Sequence, residues 1–191
     1  MKIPPSFFTQ VDVVSIAKGL LGKYLFTEID TVRTGGIIVE TEAYSHRNDL
    51  AMEKHKVRRP SSVSTLERNG GITYIYTVYG HHSMLNIVTN RAGCADSVLI
   101  RAIKPIEGID AMMARRKLST TKSLCSGPGK LTQALGVTPS LNALNVTTSN
   151  IVWVADKGKV ISNKEIACSP RIGIDYAEHD ALLPWRFHIT R

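Results

Sequence analysis

The chain has 191 residues, 43% of them hydrophobic, which is enough for one globular domain with a buried core. Its 24 Lys and Arg against 16 Asp and Glu give a formal net charge of +8 and a pI near 9.5. That balance points to an anionic partner, nucleic acid before an acidic membrane surface. No run approaches the roughly 18 apolar residues that a membrane span requires, so a membrane-embedded protein is not expected.

Val13, Val14, Ala17, Leu20 and Leu21 recur at helical spacing, and Gly22 supplies a stop. Strands are expected over residues 23–29 and 35–44. The second holds Gly36-Ile37-Ile38-Val39-Glu40-Thr41-Glu42-Ala43-Tyr44. Side chains alternate faces along a strand, so Glu40, Glu42 and Tyr44 are expected on one face and Val39, Thr41 and Ala43 on the other. Two carboxylates side by side have no apolar compensation. They must be solvated, paired, or held for chemistry.

Residues 45–70 read as a long polar, irregular loop carrying Lys54, His55, Lys56, Arg58 and Arg59, the kind of loop that is functional or disordered. Two β-rich runs follow, Ile72–Gly80 and Met84–Val88, around a break at His81-His82-Ser83. They read as a hairpin with Tyr79 at its tip and with Tyr74 and Tyr76 on one face. Those rings are either ordinary strand formers or stacking surfaces for bases. His81 and His82 are adjacent, so on an extended backbone they point apart and hold no metal.

A strand over 97–104 ending at Pro105 and a helix over 106–116, with Ile109, Met112 and Met113 inward, are expected next. A polar connector spans 117–123. Ser126-Gly127-Pro128-Gly129-Lys130 then opens a short helix through Leu135, either as a phosphate cradle or as a plain Gly-Pro turn; it is not a Walker A loop. Further strands are expected over 151–155, 171–174 and 185–189. The order lacks a regular βαβ alternation, which favours α+β over a doubly wound sheet.

Three scattered cysteines (Cys94, Cys125, Cys168) lack zinc spacing and suit a reducing compartment as buried thiols. The N-terminus has no apolar signal core. An intracellular protein is expected, cytoplasmic in a bacterium or nuclear in a eukaryote.

Six segments stand in a distinctive order: Ile38–Tyr44, Tyr74–Gly80, Leu85-Asn86-Ile87, Val98–Pro105 with Glu107-Gly108, Cys125–Leu131 and Pro170–Ile174. In that order and spacing they resemble the alkyladenine (3-methyladenine) DNA glycosylase family of the compact mixed α/β type. The resemblance implies a single domain over 1–191: a curved, mostly antiparallel sheet flanked by helices, with a protruding β-hairpin. It implies a monofunctional enzyme without metal or cofactor, acting as a monomer on double-stranded DNA that contains damaged bases. Glu42 corresponds to the general base that deprotonates a water, and Arg101 to an active-site arginine beside it. Tyr44 and Tyr76 correspond to the rings that sandwich a flipped base, Tyr79 to the wedge that fills the gap, and Asn86 to a pocket asparagine that discriminates against guanine. Counting back from Tyr74 without gaps, Glu53 falls where the family carries a pocket histidine. It is therefore expected to line the pocket and to favour cationic 3-methyladenine over neutral lesions. His55, two residues on, would reach the pocket only if the loop shifts. A damaged-DNA binder without catalysis, and a carbohydrate hydrolase using Glu40 and Glu42, are the competing readings.

Overall fold

The computed structural model describes residues 1–190. Eight strands form one antiparallel sheet: β1 (Tyr24–Ile29), β2 (Val32–Tyr44), β3 (Thr73–Val78), β4 (His82–Thr89), β5 (Asp96–Glu107), β6 (Val152–Ala155), β7 (Ile166–Ser169) and β8 (Arg186–Ile189). The order is β3-β4-β5-β2-β1-β6, with β8 pairing with β2 and β7 with β8. The fold is α+β, as the element order predicts.

β2 organises the site. Its first half pairs with β1, from Tyr24↔Ile37 to Ile29↔Val32, and its second half with β8, from Glu40↔His188 to Glu42↔Arg186. Three register shifts against β5, at Gly35/Gly36, Ile38/Glu40 and Glu40/Thr41, let one strand serve two neighbours. Bulges bend a strand and increase its twist. Gly36 is required at the first of them, since a Cβ there would lie 2.3 Å from the Lys104 carbonyl oxygen. Pro105 does not end β5. It pairs with Gly36 beyond the reach of β4, whose pairing with β5 stops at Leu99, so its missing N–H breaks no ladder bond on that side.

Helices α1 (Pro5–Phe8) and α2 (Val13–Leu20) precede the sheet. The buried side of α2 (Val13, Ile16, Ala17, Leu20) packs with Ile38, Ala43 and Ile100 in the main core. The Thr41 hydroxyl donates to the Ala17 carbonyl at 2.9 Å. Thr41 and Ala43 thus face α2, leaving Glu42 and Tyr44 to the opposite face.

Residues 45–70, expected to be irregular, instead contain helix α3 (Leu50–Arg58), a short 3-10 turn at Pro60–Ser62 and α4 (Val63–Leu66). Asp49 caps α3 by accepting the Ala51 N–H, Glu53 sits in the first turn, and His55, Lys56 and Arg58 occupy the last, a charge order that suits the helix dipole. Only Ala51 and Met52 of α3 are buried, which is why hydrophobic periodicity missed it. The helix expected over 106–116 begins at Ile109 as α5 (Ile109–Arg116), after Gly108 in the left-handed region. Helix α6 (Pro128–Leu135) starts where the Gly-Pro motif predicts. Residues 171–174 form no strand; the missed strand is β7, just before them. Cys94 and Cys125 are buried, whereas Cys168 is exposed on β7.

Candidate active site

The sheet face opposite α2 carries a cleft of about 710 Å³. Tyr44, Tyr74, Tyr76, Tyr79, Asn86 and Arg101 come to it from four strands and a turn, and α3 contributes Met52 and His55. Ile172 and Tyr176 close the other side.

Glu42 lies directly behind this wall with 0% of its surface exposed. It is fully paired. Arg101 Nη1 stands 3.1 Å from Oε1, the Ile172 N–H donates to Oε1 at 2.9 Å, and the Tyr44 hydroxyl donates to Oε2 at 2.8 Å. Burial raises the Glu42 pKa above the ordinary carboxylate value, against the opposing pull of Arg101 and these hydrogen bonds. A buried carboxylate of raised affinity for a proton, beside a cleft, is suited to proton transfer.

Glu40 has a different task. Its Oε1 accepts from Arg101 Nε at 2.9 Å and from Arg186 Nη1 at 3.2 Å. The unpaired Val39 of β2 and Arg101 of β5 flank the Glu40↔Ala102 pair, and from there a single guanidinium bridges both acids. The two carboxylates are therefore an ion-paired cluster rather than a matched pair of free acids.

Tyr44 also rests on Arg171, whose guanidinium carbon is 4.7 Å from the ring centroid. Arg171 is held by a bidentate pair with Asp49 (2.7 and 2.8 Å) and by the Ala43 carbonyl at 2.9 Å. Both side chains are fully buried. Sequence reasoning missed this clamp. Its signal was the Pro170–Ile174 segment itself, whose role is to deliver the Ile172 N–H and the Arg171 guanidinium rather than to form a strand.

Tyr74 and Tyr76 stack with ring centroids 5.4 Å apart, and His55 meets the Tyr76 ring edge-on at 4.8 Å. His55 Nε2 is 2.7 Å from the Tyr74 hydroxyl. Burial, with Arg59 and Arg58 adding to it, lowers the His55 pKa to about 4, so the ring is neutral at pH 7. Glu53, expected in the pocket, is exposed and lines no part of the cleft. Because α3 is a helix, residues two apart point about 200° apart, so the same geometry turns Glu53 out and His55 in. Asn86 is buried, and its amide nitrogen donates to the Tyr74 and Met84 carbonyls, each at 3.3 Å.

Tyr79 is 88% exposed at the tip of the β3–β4 hairpin, with φ of 50° beside Gly80 at 74°. The His81 N–H closes a turn onto the Val78 carbonyl whose two central residues both have positive φ, inside a three-residue loop that leaves Val78 paired with His82; such a φ is uncommon for an aromatic residue. His81 and His82 do not point apart: the turn places their rings 4.0 Å from each other. Among the described residues no group of three or more His, Cys, Asp or Glu could hold a metal. At the start of α6 the Gly127 N–H donates to the Arg101 carbonyl and Pro128 has none to give. A phosphate cradle there would rest on Gly129 and Lys130.

These features coincide with a match to the methylpurine-DNA glycosylase family model over residues 6–191. A protein of Chlamydia abortus, provisionally named a 3-methyladenine DNA glycosylase, is 42% identical over 191 residues, covering 97% of this chain and 96% of its own length. Similarly named proteins of Chlamydia felis (42%, covering 97% of this chain and 94% of that protein) and Bacillus cereus (38% over 196 residues, covering 98% and 95%) align equally fully. The chain belongs to the methylpurine-DNA glycosylase family. Among the described residues no helix is long and apolar enough to cross a membrane.

Proposed function

We propose that the chain is a monofunctional DNA glycosylase that flips damaged purines of the 3-methyladenine type from duplex DNA and hydrolyses their N-glycosidic bond. The observation that carries this reading is the fully buried Glu42, held by three donors directly behind a tyrosine-lined cleft. Family membership and the relatives' names support it independently.

A base inside a duplex is out of reach of any side chain, so extrusion comes first, at roughly a few kcal/mol and least for damaged pairs. Stacking against Tyr44 and Tyr76 offsets about 1–3 kcal/mol per base. Tyr79, already extended into solvent, fills the gap left in the stack. His55, rather than Glu53, offers a neutral ring nitrogen to the base edge. Asn86 lines the same cleft and is assigned the discrimination against guanine.

Glu42 removes a proton from a water as the water's oxygen bonds to the anomeric carbon. The C1′–N bond breaks and its electron pair leaves with the base: a cationic 3-methyladenine departs neutral, with the water's proton left on Glu42, whereas a neutral lesion departs as an anion and takes up one proton, so that the net reaction is hydrolysis. Tyr44 holds Glu42 Oε2 in the free protein; its movement onto a flipped base frees that oxygen for water. Arg101, tethered by Glu40, balances the charge on Glu42. The product is an abasic site in an uncut strand, because no amine acts as nucleophile. The protein acts as a monomer.

Neither competing reading is favoured. A binder without catalysis rested on Glu53 displacing the pocket histidine, and His55 occupies that place instead. A carbohydrate hydrolase needs two carboxylates flanking a sugar, and Glu40 is committed to two arginines. The test is incubation with duplexes carrying 3-methyladenine, 7-methylguanine, ethenoadenine or hypoxanthine. Alkali-labile sites at the lesion, without cleavage before alkali, are expected; no alkali-labile sites on any of the four would refute the reading.

A further inference from the structure

Both rings assigned to hold the base already carry a protein cation. Arg171 lies 4.7 Å from the Tyr44 centroid and Arg59 lies 4.9 Å from that of Tyr76. Arg58 stands 3.9 Å over Tyr176, another residue of the cleft. Arg58, Arg59 and Arg101 all line the cleft, and among the described residues no carboxylate does. Glu42 and Glu40, behind the wall, are neutralised by Arg101 and Arg186. An electron-rich ring attracts a cation through its face. Here that attraction is spent on the protein's own guanidinium groups, and a second positive charge entering the cleft is repelled by them. The low proton affinity of His55 is consistent with this: burial is its main cause, with Arg59 and Arg58 next.

We propose that Arg59, assisted by Arg58, selects against positive charge on the flipped base. The cleft then favours neutral purine lesions, the class of hypoxanthine and ethenoadenine, over cationic N-alkylpurines, relative to what leaving-group chemistry alone would give. This rests on the glycosylase reading above and reverses the preference that Glu53 suggested. Arg59 suits the role because its one hydrogen bond, from Nη2 to the Thr77 carbonyl at 3.0 Å, leaves most of its charge directed at Tyr76 and the cleft. Arg171, by contrast, is tied to Asp49.

Cationic bases leave faster by their own chemistry, so absolute rates do not report the selection. The ratio of single-turnover excision of 7-methylguanine to that of hypoxanthine, compared between variants, cancels that contribution. Arg59→Gln is expected to raise this ratio by about three- to tenfold, the loss of one cation–π contact at a partly exposed site. Arg59→Lys, which keeps the charge, should hold the ratio near that of the unaltered protein. Arg58→Gln, at an exposed position off β3, should raise it by less and guards against a folding defect at Arg59. Excision of both lesions with an unchanged ratio in both Gln variants would overturn this proposal alone. Absence of excision by the unaltered protein would overturn the glycosylase reading and this proposal together.

Discussion

At the scale of single residues, Glu42 is set by its burial. Its folded-state pKa is raised, so the folded protein holds the proton more tightly than the unfolded chain does. Ionised Glu42 therefore lowers stability as pH rises through that window, and in the mechanism proposed above the base form of Glu42 is present only above it. Single-turnover excision is expected to fall on the acid side at a pH above the ordinary glutamate range, near 4.3. His55, neutral down to about pH 4, should add no limb near 6.5. Arg101→Gln removes the largest influence that lowers the Glu42 pKa and should move the acid limb to higher pH. A limb that stays in place in Arg101→Gln would contradict the pairing described here. Glu40, Glu42 and Tyr44, and Tyr74 with Tyr76, were grouped in the sequence because a strand's alternation assigns faces without knowledge of the fold, whereas Arg101 was singled out only by the family resemblance. His55 was not, because the inward-facing residue of a 26-residue polar stretch depends on whether that stretch is helical.

At the scale of elements, the Arg171–Asp49 clamp joins three parts of the site. Asp49 caps α3 and accepts the Ser45 N–H, while Arg171 supports Tyr44 and anchors the segment whose Ile172 N–H reaches Glu42. Removing one partner of a buried pair leaves the other charge uncompensated, at about 3–5 kcal/mol. Asp49→Ala should lower unfolding free energy by that order in urea titration, whereas Lys54→Ala, whose partner Glu178 is exposed, should change it far less. Equal effects would mean that the clamp is no more than a surface ion pair. Sequence patterns find such clamps poorly, because the partners lie 122 residues apart and neither follows a periodicity. The hairpin, α2, α6 and the strands of residues 23–44 were legible from local pattern and turn chemistry. The 171–174 segment was misread because Ile, Gly and Ile mimic a strand while its work is done by backbone and one buried guanidinium.

At the scale of the whole molecule, the sheet gathers chemistry from distant segments onto one face and gives the other to the core. α2 covers Thr41 and Ala43, β8 braces the second half of β2, and the hairpin projects Tyr79 beside the cleft mouth. The α+β class and the basic character could be read from element order and composition, whereas the division of β2 between β1 and β8 could not, since it depends on bulges that no residue type announces. The net charge of +8 supplies attraction to phosphate that is independent of the chemistry at Glu42. Binding and base release are therefore separable in one variant. Glu42→Gln keeps the side chain's shape and removes the carboxylate proposed as the base. On a lesion-bearing duplex its excision rate should fall by at least the ~10²–10⁴-fold that general-base catalysis supplies. Its affinity for the same duplex should persist, with log K still falling linearly against log salt by about 0.9 per phosphate contact. Near-full excision by Glu42→Gln would contradict the account at its centre.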